Sequence, residues 1–313
     1  MFTIRHSQNV GVFFYIFVYN VNEDMRTQPI DLVIAYVNNK DKVWVDTYIK
    51  YCQTHNLYNK IVDLYGSRFG GLTYIYYHLK LASKNMPWIN NIYLLLSNEE
   101  QIDKSKLPNN VKIVLHKDFI WRNFLPTFNS TTIEMFLWNI PNLSEHFIYA
   151  NDDMLPTGKL EPSDFFDFKT NKIKISWRDD EFSFNGNTYA SQCHNNCVSL
   201  TKALNIDFAN NRLLRPVHSY TPMIKSHCES AFELIKADIL PHIRVFRTHY
   251  QHNQYIYPLY EYFKFGTLES PIDFLYTELD KDFDLNHQIC CINCENNKKY
   301  IKQFTTEIEK LCE

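Results

Sequence analysis

The chain has 313 residues, of which 45% are hydrophobic and 21% charged, so it can bury a substantial core in one large domain or two modest ones. Its formal net charge of −3 argues against a nucleic-acid binder that relies on bulk electrostatics, and we expect no nucleic-acid partner. Aromatic residues make up 16% of the chain, which suits a sugar-binding site or an aromatic core equally well.

Residues 10–19 form the most apolar run of the chain. A run of this length is too short to span a bilayer, which requires about 20 residues. No small-residue cleavage site follows it. We therefore expect a buried strand or a peripheral contact, with a signal or membrane anchor as the less favoured alternative.

Short apolar runs then alternate with helical patterns over about 120 residues. The predicted strands span residues 30–38, 91–96, 111–116 and 146–150, and the predicted helices span residues 43–51, 72–84 and 131–140. The last helix has Ile133, Phe136, Leu137 and Ile140 at i, i+3, i+4 and i+7. This alternation predicts an α/β fold with a Rossmann-like, mostly parallel sheet flanked by helices.

The C-terminal half is predicted to be more helical. Its predicted elements are a strand over residues 173–177 and helices over residues 222–239, 254–265 and 297–311. Because no repeat or linker interrupts the pattern, we divide the chain into an N-terminal extension (1–28), one main domain (29–296) and a C-terminal helix (297–313).

The predicted strand at 146–150 ends on Asn151, Asp152 and Asp153. Ligands of parallel α/β sheets bind at the carboxyl ends of the strands, and the predicted strand at 30–38 ends on Asn38 at the same edge. Adjacent carboxylates can hold Mg²⁺ or Mn²⁺ and bridge it to diphosphate oxygens. The same residue types are common in turns and helix caps, so this alternative stays open on these residues alone.

Three further side chains are candidates, and each has a structural alternative. Glu134 could face the site, but Thr131-x-x-Glu134 also has the spacing of a helix capping box. His218 could take a proton from an acceptor hydroxyl near neutral pH, although a single histidine is more often structural. Arg247 could bind phosphate through its guanidinium, or it could lie on the surface.

Eight cysteines are spaced irregularly along the chain. Cys193-x3-Cys197, beside His194, and Cys291-x2-Cys294 have the spacing of zinc half-sites. Neither has a matching second pair for closed tetrahedral coordination. The spacing does not suggest a disulfide scaffold either, and we expect reduced thiols in a cytoplasmic protein.

Several stretches resemble the signatures of the Stealth proteins, and the similarity spans roughly residues 30–295. Residues 30–38, IDLVIAYVN, resemble the first signature. Residues 125–153 are similar to the long second signature, from LPTFNSTTIE through IPNLSEHFIY to the Asn-Asp-Asp motif. Arg215-Pro216-x-His218 together with Arg247 resembles the third signature, and residues 290–293, CCIN, resemble the short fourth.

Stealth proteins are sugar-1-phosphate transferases, among them bacterial capsule and exopolysaccharide enzymes and the lysosomal-enzyme N-acetylglucosamine-phosphotransferase. The resemblance implies that residues 29–296 are a catalytic domain for surface polysaccharide synthesis. It would transfer a hexose 1-phosphate, such as N-acetylglucosamine 1-phosphate, from a UDP-sugar to a glycan hydroxyl and release UMP, with Mg²⁺ or Mn²⁺ as cofactor. The UDP-sugar donor and the lack of a credible export signal would place the protein in the cytoplasm. A glycan or lipid-linked glycan acceptor would allow peripheral association with the inner face of the membrane.

The resemblance also implies roles for individual residues. The implied catalytic residues are His218, Arg247, Glu134 and Asp153, and the implied metal ligands are Asp152 and Asp153. The implied substrate and nucleotide contacts are Asp31, Asn38, Arg68, Asn129 and Asn151. Residues 67–74 depart from the second signature because this segment is shorter, with Thr73 where a basic residue is common. Cys294 stands where the fourth signature often has an aspartate.

Two alternatives from other functional classes remain open. A metal-dependent glycosyltransferase could use the same donor and the same acidic motif, with attack at the anomeric carbon and release of UDP. A non-catalytic relative could bind a UDP-sugar or a glycan without turnover, and the altered segment at 66–74 favours this alternative. The presence of Glu134, both aspartates, His218 and Arg247 counts against it.

Overall fold

The structure is a computed structural model that describes residues 28–64, 74–278, 283–293 and 298–313. Its helices are α1 (Lys42–Thr54), α2 (Tyr58–Asp63), α3 (Ile75–Asn85), α4 (His116–Phe119), α5 (Ser130–Glu134), α6 (Pro162–Phe165), α7 (Thr188–Ala203), α8 (Lys225–Ile239), α9 (Ile256–Lys264) and α10 (Lys298–Cys312). Its strands are β1 (Ile30–Ala35), β2 (Ile92–Leu96), β3 (Val111–Leu115), β4 (His146–Asn151), β5 (Met154–Leu155), β6 (Phe166–Asp167), β7 (Lys172–Ile173), β8 (Trp177–Glu181), β9 (Arg212–Pro216), β10 (Thr221–Ile224), β11 (Phe274–Glu278) and β12 (Ile289–Asn293).

The main sheet has five strands in the order β10-β4-β1-β2-β3. The strands β4, β1, β2 and β3 are parallel, and β10 pairs with β4 in the antiparallel direction. The predicted α/β fold with a mostly parallel sheet is therefore confirmed. The chain extends the sheet from β1 through β2 to β3 and then returns to the other side of β1 as β4. This reversal between β1 and β4 is the point at which open parallel sheets bind ligands.

Both faces of the main sheet are buried, because alternate side chains of each strand point to opposite faces. Leu32 and Ile34 of β1 pack in the core that contains Leu79 of α3. Val33 enters the core on the other face, which contains Phe232 of α8. A sheet covered on both faces requires nearly continuous apolar strands, and such runs are what made β1, β2 and β4 recognisable in the sequence.

A smaller sheet covers the carboxyl end of β4. Its order is β11-β12-β5, and β5 begins directly after Asp152 and Asp153. The backbone N–H of Ile292 in β12 donates to the carbonyl of Asp153 at 2.9 Å. The backbone of the acidic motif is thereby held between two sheets. Two antiparallel ribbons, β6–β7 and β8–β9, complete the strand pairing.

The predicted helix at 131–140 is wrong as a continuous element. α5 ends at Glu134, and residues Leu137–Asn139 form a separate 3-10 turn. Phe136 between them has φ −115° and ψ 13°, which interrupts the helical backbone. The four predicted apolar positions are nevertheless all buried. The spacing i, i+3, i+4, i+7 therefore identified the buried face but not the backbone break.

Two other predicted elements are corrected. The predicted helix at 222–239 begins only at Lys225, because residues 221–224 form the antiparallel edge strand β10 instead. The predicted strand at 173–177 consists of the end of β7 and the start of β8, which pair with different partners. The sequence reading also missed α7, a helix of 16 residues.

The remaining predicted elements are confirmed where the structure describes them, with ends that shift by a few residues. They are the strands at 30–38, 91–96, 111–116 and 146–150 and the helices at 43–51, 72–84, 254–265 and 297–311. Pro258 fits inside α9 because it lies in the first turn, where a backbone N–H has no helical partner. The division into three regions stays a prediction.

Among the helices that the structure describes, none is both long enough and apolar enough to cross a membrane. The apolar run at residues 10–19 lies outside the described residues, so the prediction for this run stays a prediction.

Candidate active site

A cavity of about 810 Å³ opens where β1 and β4 end side by side. Ala35, at the end of β1, and Asn151 and Asp152, at the end of β4, lie in its wall. The cavity thus occupies the reversal point of the sheet, as the strand-end argument predicts. Its volume is in the range of sites that enclose a nucleotide-sized ligand.

Asp152 and Asp153 form the acidic wall of the cavity. Burial, followed by repulsion from Asp153, raises the pKa of Asp152 to about 7. Burial also raises the pKa of Asp153, against the opposing influence of His218. The Oδ1 atom of Asp153 is buried and has no hydrogen-bond partner among the described residues. A bound cation would stabilise two crowded and poorly solvated carboxylates of this kind.

His218 faces the same cavity from the segment after β9. Its Nδ1 atom is hydrogen-bonded to the Tyr255 hydroxyl at 2.7 Å, which fixes the orientation of the ring. Burial lowers the pKa of His218, and the nearby Asp153 partly offsets that shift. His218 is therefore a neutral imidazole at neutral pH, and its Nε2 atom remains available to a ligand.

Glu134 and Arg247 also line the cavity, and their charges influence each other. Glu134 is 3% exposed, and its Oε2 atom accepts the backbone N–H of Gln254 at 3.0 Å. Burial raises the pKa of Glu134, while the positive charge of Arg247 opposes the shift. Arg247 donates through Nη2 to the Ser130 hydroxyl, and its buried Nε has no partner among the described residues. Arg247 therefore still has a donor to offer a ligand.

Asn129 lines the cavity but uses its side chain to hold the protein together. Its Oδ1 accepts the backbone N–H of Thr131 at 3.2 Å, and its Nδ2 donates to the Arg244 carbonyl at 3.1 Å. Asn129 is thus the N-cap of α5. The structural alternative for Glu134, a capping box with Thr131, is not formed, because the Glu134 carboxylate accepts the backbone N–H of Gln254 instead.

The structure does not bring all the predicted contacts into the cavity. Asp31 lies at the opposite end of β1 and is fully buried; its carboxylate accepts the backbone N–H groups of Asn91 and Ser144 at 3.0 and 2.7 Å. Its predicted place in the nucleotide pocket is therefore wrong, since the four residue steps from Asp31 to Ala35 separate it from the cavity end of β1 by roughly 13 Å. Asn38 lies beside the cavity wall, where its Oδ1 accepts the backbone N–H of Lys40. Arg68 lies outside the described residues.

Sequence reasoning missed two arginines of the cavity wall. Arg178 of β8 and Arg215 of β9 both line it, and the Arg215 guanidinium lies 5.7 Å from the centre of the Tyr189 ring. Arg215 stands within the stretch that resembles the third signature, so that resemblance could have indicated it. Arg178 had no such signal, because only the pairing of β8 with β9 brings it beside Arg215.

The donor atoms available to a metal fit the predicted hard cation. Carboxylate oxygens are the protein ligands that Mg²⁺ and Mn²⁺ prefer, and Asp152 and Asp153 supply them together with an unpartnered, buried oxygen. Asp153, His218 and Cys291 also place potential ligand atoms within 4.8 Å of one another. A thiol is not a preferred ligand of Mg²⁺, so Asp152 and Asp153 are the side chains that would hold such a cation.

Cys193 and Cys197, one of the two pairs with zinc-like spacing, make hydrogen bonds within the protein. Cys197 donates to the Leu214 carbonyl, and Cys193 accepts from the Asn253 side chain. The His194 ring is stacked on Phe182. The described residues bring no group of three metal ligands together at this pair. Seven of the eight cysteines lie in the described residues, and all seven are free thiols.

Fold and site together define an α/β protein whose sheet reversal point carries a cavity with acidic and basic walls. Residues 68–174 match the family model described as Stealth protein CR2, conserved region 2. The capsular polysaccharide phosphotransferase cps1A of Actinobacillus pleuropneumoniae is 30% identical over 267 residues, which cover 80% of this chain and 70% of that protein. The chain belongs to the Stealth family.

The capsular polysaccharide phosphotransferase LcbA of Neisseria meningitidis is 33% identical over 220 residues, which cover 67% of this chain and 57% of that protein. This chain therefore spans less than two thirds of the length of that relative. The crystal structure of the galactosyltransferase LgtC, in complex with donor and acceptor sugar analogues, gives a TM-score of 0.35 at 11% identity. The superposition covers 90% of this chain and 95% of the LgtC chain. A likeness this low carries no argument about function.

Proposed function

We propose that this chain transfers a hexose 1-phosphate, such as N-acetylglucosamine 1-phosphate, from a UDP-sugar to a glycan hydroxyl in surface polysaccharide synthesis. The observation that carries the proposal is the cavity at the sheet reversal point, whose wall contains Asp152, Asp153, Arg247 and His218. Membership of the Stealth family supports the same reaction, because the two relatives described above are named capsular polysaccharide phosphotransferases.

The reaction that we propose is attack by the acceptor hydroxyl oxygen on the phosphorus that bears the sugar. A new P–O bond forms, the bond from this phosphorus to the bridging oxygen of the diphosphate breaks, and UMP leaves with that oxygen. Mg²⁺ or Mn²⁺, held by Asp152 and Asp153, would neutralise charge on the diphosphate. Such transfers depend mainly on positioning and charge stabilisation rather than on covalent chemistry of the protein.

In this proposal His218 is the general base for the acceptor. Its Nδ1 atom is engaged by the Tyr255 hydroxyl, so Nε2 would take the proton of the attacking hydroxyl. The lowered pKa keeps the ring neutral and ready to accept that proton at neutral pH. General base catalysis of this kind contributes about 10²- to 10⁴-fold.

Arg247 would bind the phosphoryl oxygens, because a guanidinium matches the geometry of phosphate and its Nε donor is unused by the described residues. Glu134 would act as a positioning residue for Arg247, because its carboxylate lies close enough for the two opposite charges to interact. Asn129 would help by tying α5 to the Arg244 carbonyl, three residues before Arg247. Asn151 would contact substrate from the end of β4.

We further propose that the acceptor is a glycan or a lipid-linked glycan, and that the protein works in the cytoplasm at the inner face of the membrane. A nucleotide-sugar donor supports the cytoplasmic side. A lipid-linked acceptor would require only peripheral contact with the bilayer.

The nucleotide product tests the proposal. Purified protein would be incubated with UDP-N-acetylglucosamine and other UDP-hexoses, Mg²⁺ or Mn²⁺ and a glycan acceptor extract, and UMP would be separated from UDP. We expect UMP that depends on the metal and disappears when a chelator is added. UDP as the product would identify a glycosyltransferase instead. Binding of UDP-sugar without either nucleotide would identify a non-catalytic relative.

A further inference from the structure

The antiparallel ribbon of β8 and β9 contributes a basic wall to the cavity that the proposed reaction does not use. In the register of this ribbon, Arg178 lies directly opposite Arg215. Because side chains alternate between the two faces of a strand, these two arginines share one face with Asp180. Both arginines line the cavity. The opposite face carries Asp179, Glu181 and Arg212.

The two faces of the ribbon differ in charge balance. On the outer face Arg212 forms a salt bridge with Asp179 and lies opposite Glu181, so that face has no uncompensated positive charge. On the cavity face Arg215 pairs with Asp180 at 2.8 Å. Arg178 forms no ion pair with any acid in the part of the chain that the structure describes. The cavity face of the ribbon therefore carries one uncompensated positive charge.

Like charges directly opposite each other on neighbouring strands destabilise the pairing. An anion that bridges Arg178 and Arg215 would remove this repulsion, and two guanidinium groups suit the oxygens of a phosphate. The Asp180 carboxylate already neutralises part of the positive charge of Arg215, so Arg178 would provide most of the attraction for the anion. Arg247 lines the same cavity and donates to Ser130, and both Arg247 and Arg215 act on His218, so the Arg178–Arg215 pair adds a second basic group to that cavity.

We propose that Arg178 and Arg215 form a second anion site, which binds a phosphodiester already present in the acceptor glycan. This inference rests on the proposed function, because that reaction creates one phosphodiester in every product. If a product serves as the next acceptor, its phosphodiester lies a short way back from the new attacking hydroxyl. Arg215 is three residues from His218, so the two are at most about 11 Å apart along the backbone. That distance fits a phosphodiester near the end of the glycan that reacts.

The experiment measures binding without a donor, so that it does not depend on turnover. An oligosaccharide with one internal sugar phosphodiester and its counterpart without phosphate would be titrated into the full chain by calorimetry. We expect the wild-type protein to prefer the phosphodiester oligosaccharide. Arg178→Gln should lose about three- to tenfold of its affinity for that ligand, which brings the preference close to one. Raised salt should weaken the binding of the phosphodiester ligand only.

Arg212→Gln is the matched control, because Arg212 lies on the same ribbon but faces away from the cavity. It should leave the preference for the phosphodiester unchanged. Equal binding of both oligosaccharides to the wild type would overturn the inference, as would an equal loss of preference in the Arg212 variant. Weaker binding of UDP-sugar, with an unchanged oligosaccharide preference, would assign Arg178 to the donor and also overturn it. Failure to release UMP with a normal phosphodiester preference would refute the proposed reaction alone.

Discussion

At the scale of single residues, the Oδ1 atom of Asp153 is the most informative feature. A buried carboxylate oxygen without a hydrogen-bond donor is costly, and native proteins retain such groups mainly at functional sites. Burial raises the pKa of this carboxyl group for the same reason. A cation bound to Asp153 would offset this free-energy cost.

Asp153→Asn should therefore separate activity from stability. We expect metal-dependent turnover to be lost, whereas the thermal midpoint without metal should stay unchanged or rise, because a buried charge is removed. Asp167→Asn is a suitable control, since Asp167 lies on the surface and accepts from the Thr170 hydroxyl at 2.6 Å. It should keep its turnover. Normal turnover of the Asp153 variant would show that the cation site has been assigned wrongly.

His218 offers a graded test at the same scale. His218→Gln should lower kcat by about 10²- to 10⁴-fold, because the proposed base is removed. Tyr255→Phe keeps the base but removes the hydroxyl bonded to Nδ1, so its loss of kcat should be smaller. Steady-state kinetics with saturating donor would compare the two. A larger loss for Tyr255→Phe than for His218→Gln would contradict the assigned roles.

The residue scale also shows what the sequence could and could not predict about the site. Asn151, Asp152, Asp153, Glu134, His218 and Arg247 line one cavity, as the signatures implied. Asp31 does not line it, because Asp31 lies near the start of β1 and the cavity lies at the carboxyl ends of the strands. The resemblance of residues 30–38 to the first signature did not reveal this difference. Sequence reasoning could not identify Arg178, because its position in the cavity wall depends on the pairing of β8 with β9, which are far apart in the chain.

At the scale of elements, strands were easier to predict than the helices that surround them. The strands of the main sheet are buried on both faces and therefore read as apolar runs. The helix α7 was missed because several of its buried positions are polar rather than apolar. These side chains are satisfied by specific partners: Gln192, for example, donates to the Thr248 carbonyl at 2.8 Å. Such hydrogen bonds replace the apolar periodicity on which the prediction relies.

The segment at 130–140 allows a test of packing at the element scale. Phe136 is fully buried between Trp121, Phe124 and Phe232, at the break between α5 and the following turn. Phe136→Ala should lower the free energy of unfolding by about 3–5 kcal/mol, because it leaves a cavity in the core. Chemical denaturation would measure the change.

Phe184→Ala provides the control for this substitution, since Phe184 is 69% exposed. Its effect should stay within about 0.5 kcal/mol. Equal destabilisation by the two substitutions would contradict the packing described for Phe136.

At the scale of the whole molecule, buried neutral histidines link folding to pH. Burial lowers the pKa of His78 to about 3, and of His116 and His252 to about 4. In the unfolded chain each would titrate near its ordinary value of about 6.5. As the pH falls below 6.5 the unfolded state binds protons first, so these histidines progressively destabilise the folded state down to about pH 4.

His252→Gln isolates one of these contributions at a residue that does not line the cavity. Between pH 6.5 and pH 5 the wild type should lose about 1.6 kcal/mol of unfolding free energy relative to this variant. Urea denaturation of both proteins at the two pH values would give the difference directly. A difference between the two proteins that does not change with pH would contradict a buried neutral His252. Comparison with the variant cancels the opposite influence of buried carboxyl groups such as Glu134, whose pKa is raised.

The central claim for the whole molecule is that phosphorus, and not only sugar, passes to the acceptor. The most direct measurement uses a UDP-sugar whose sugar-linked phosphate carries ³²P, incubated with the protein, Mg²⁺ and a glycan acceptor. We predict that the label appears in the glycan together with the sugar, and that the released nucleotide is unlabelled UMP. Label that stays with the nucleotide as UDP, while the sugar enters the glycan, would contradict the account.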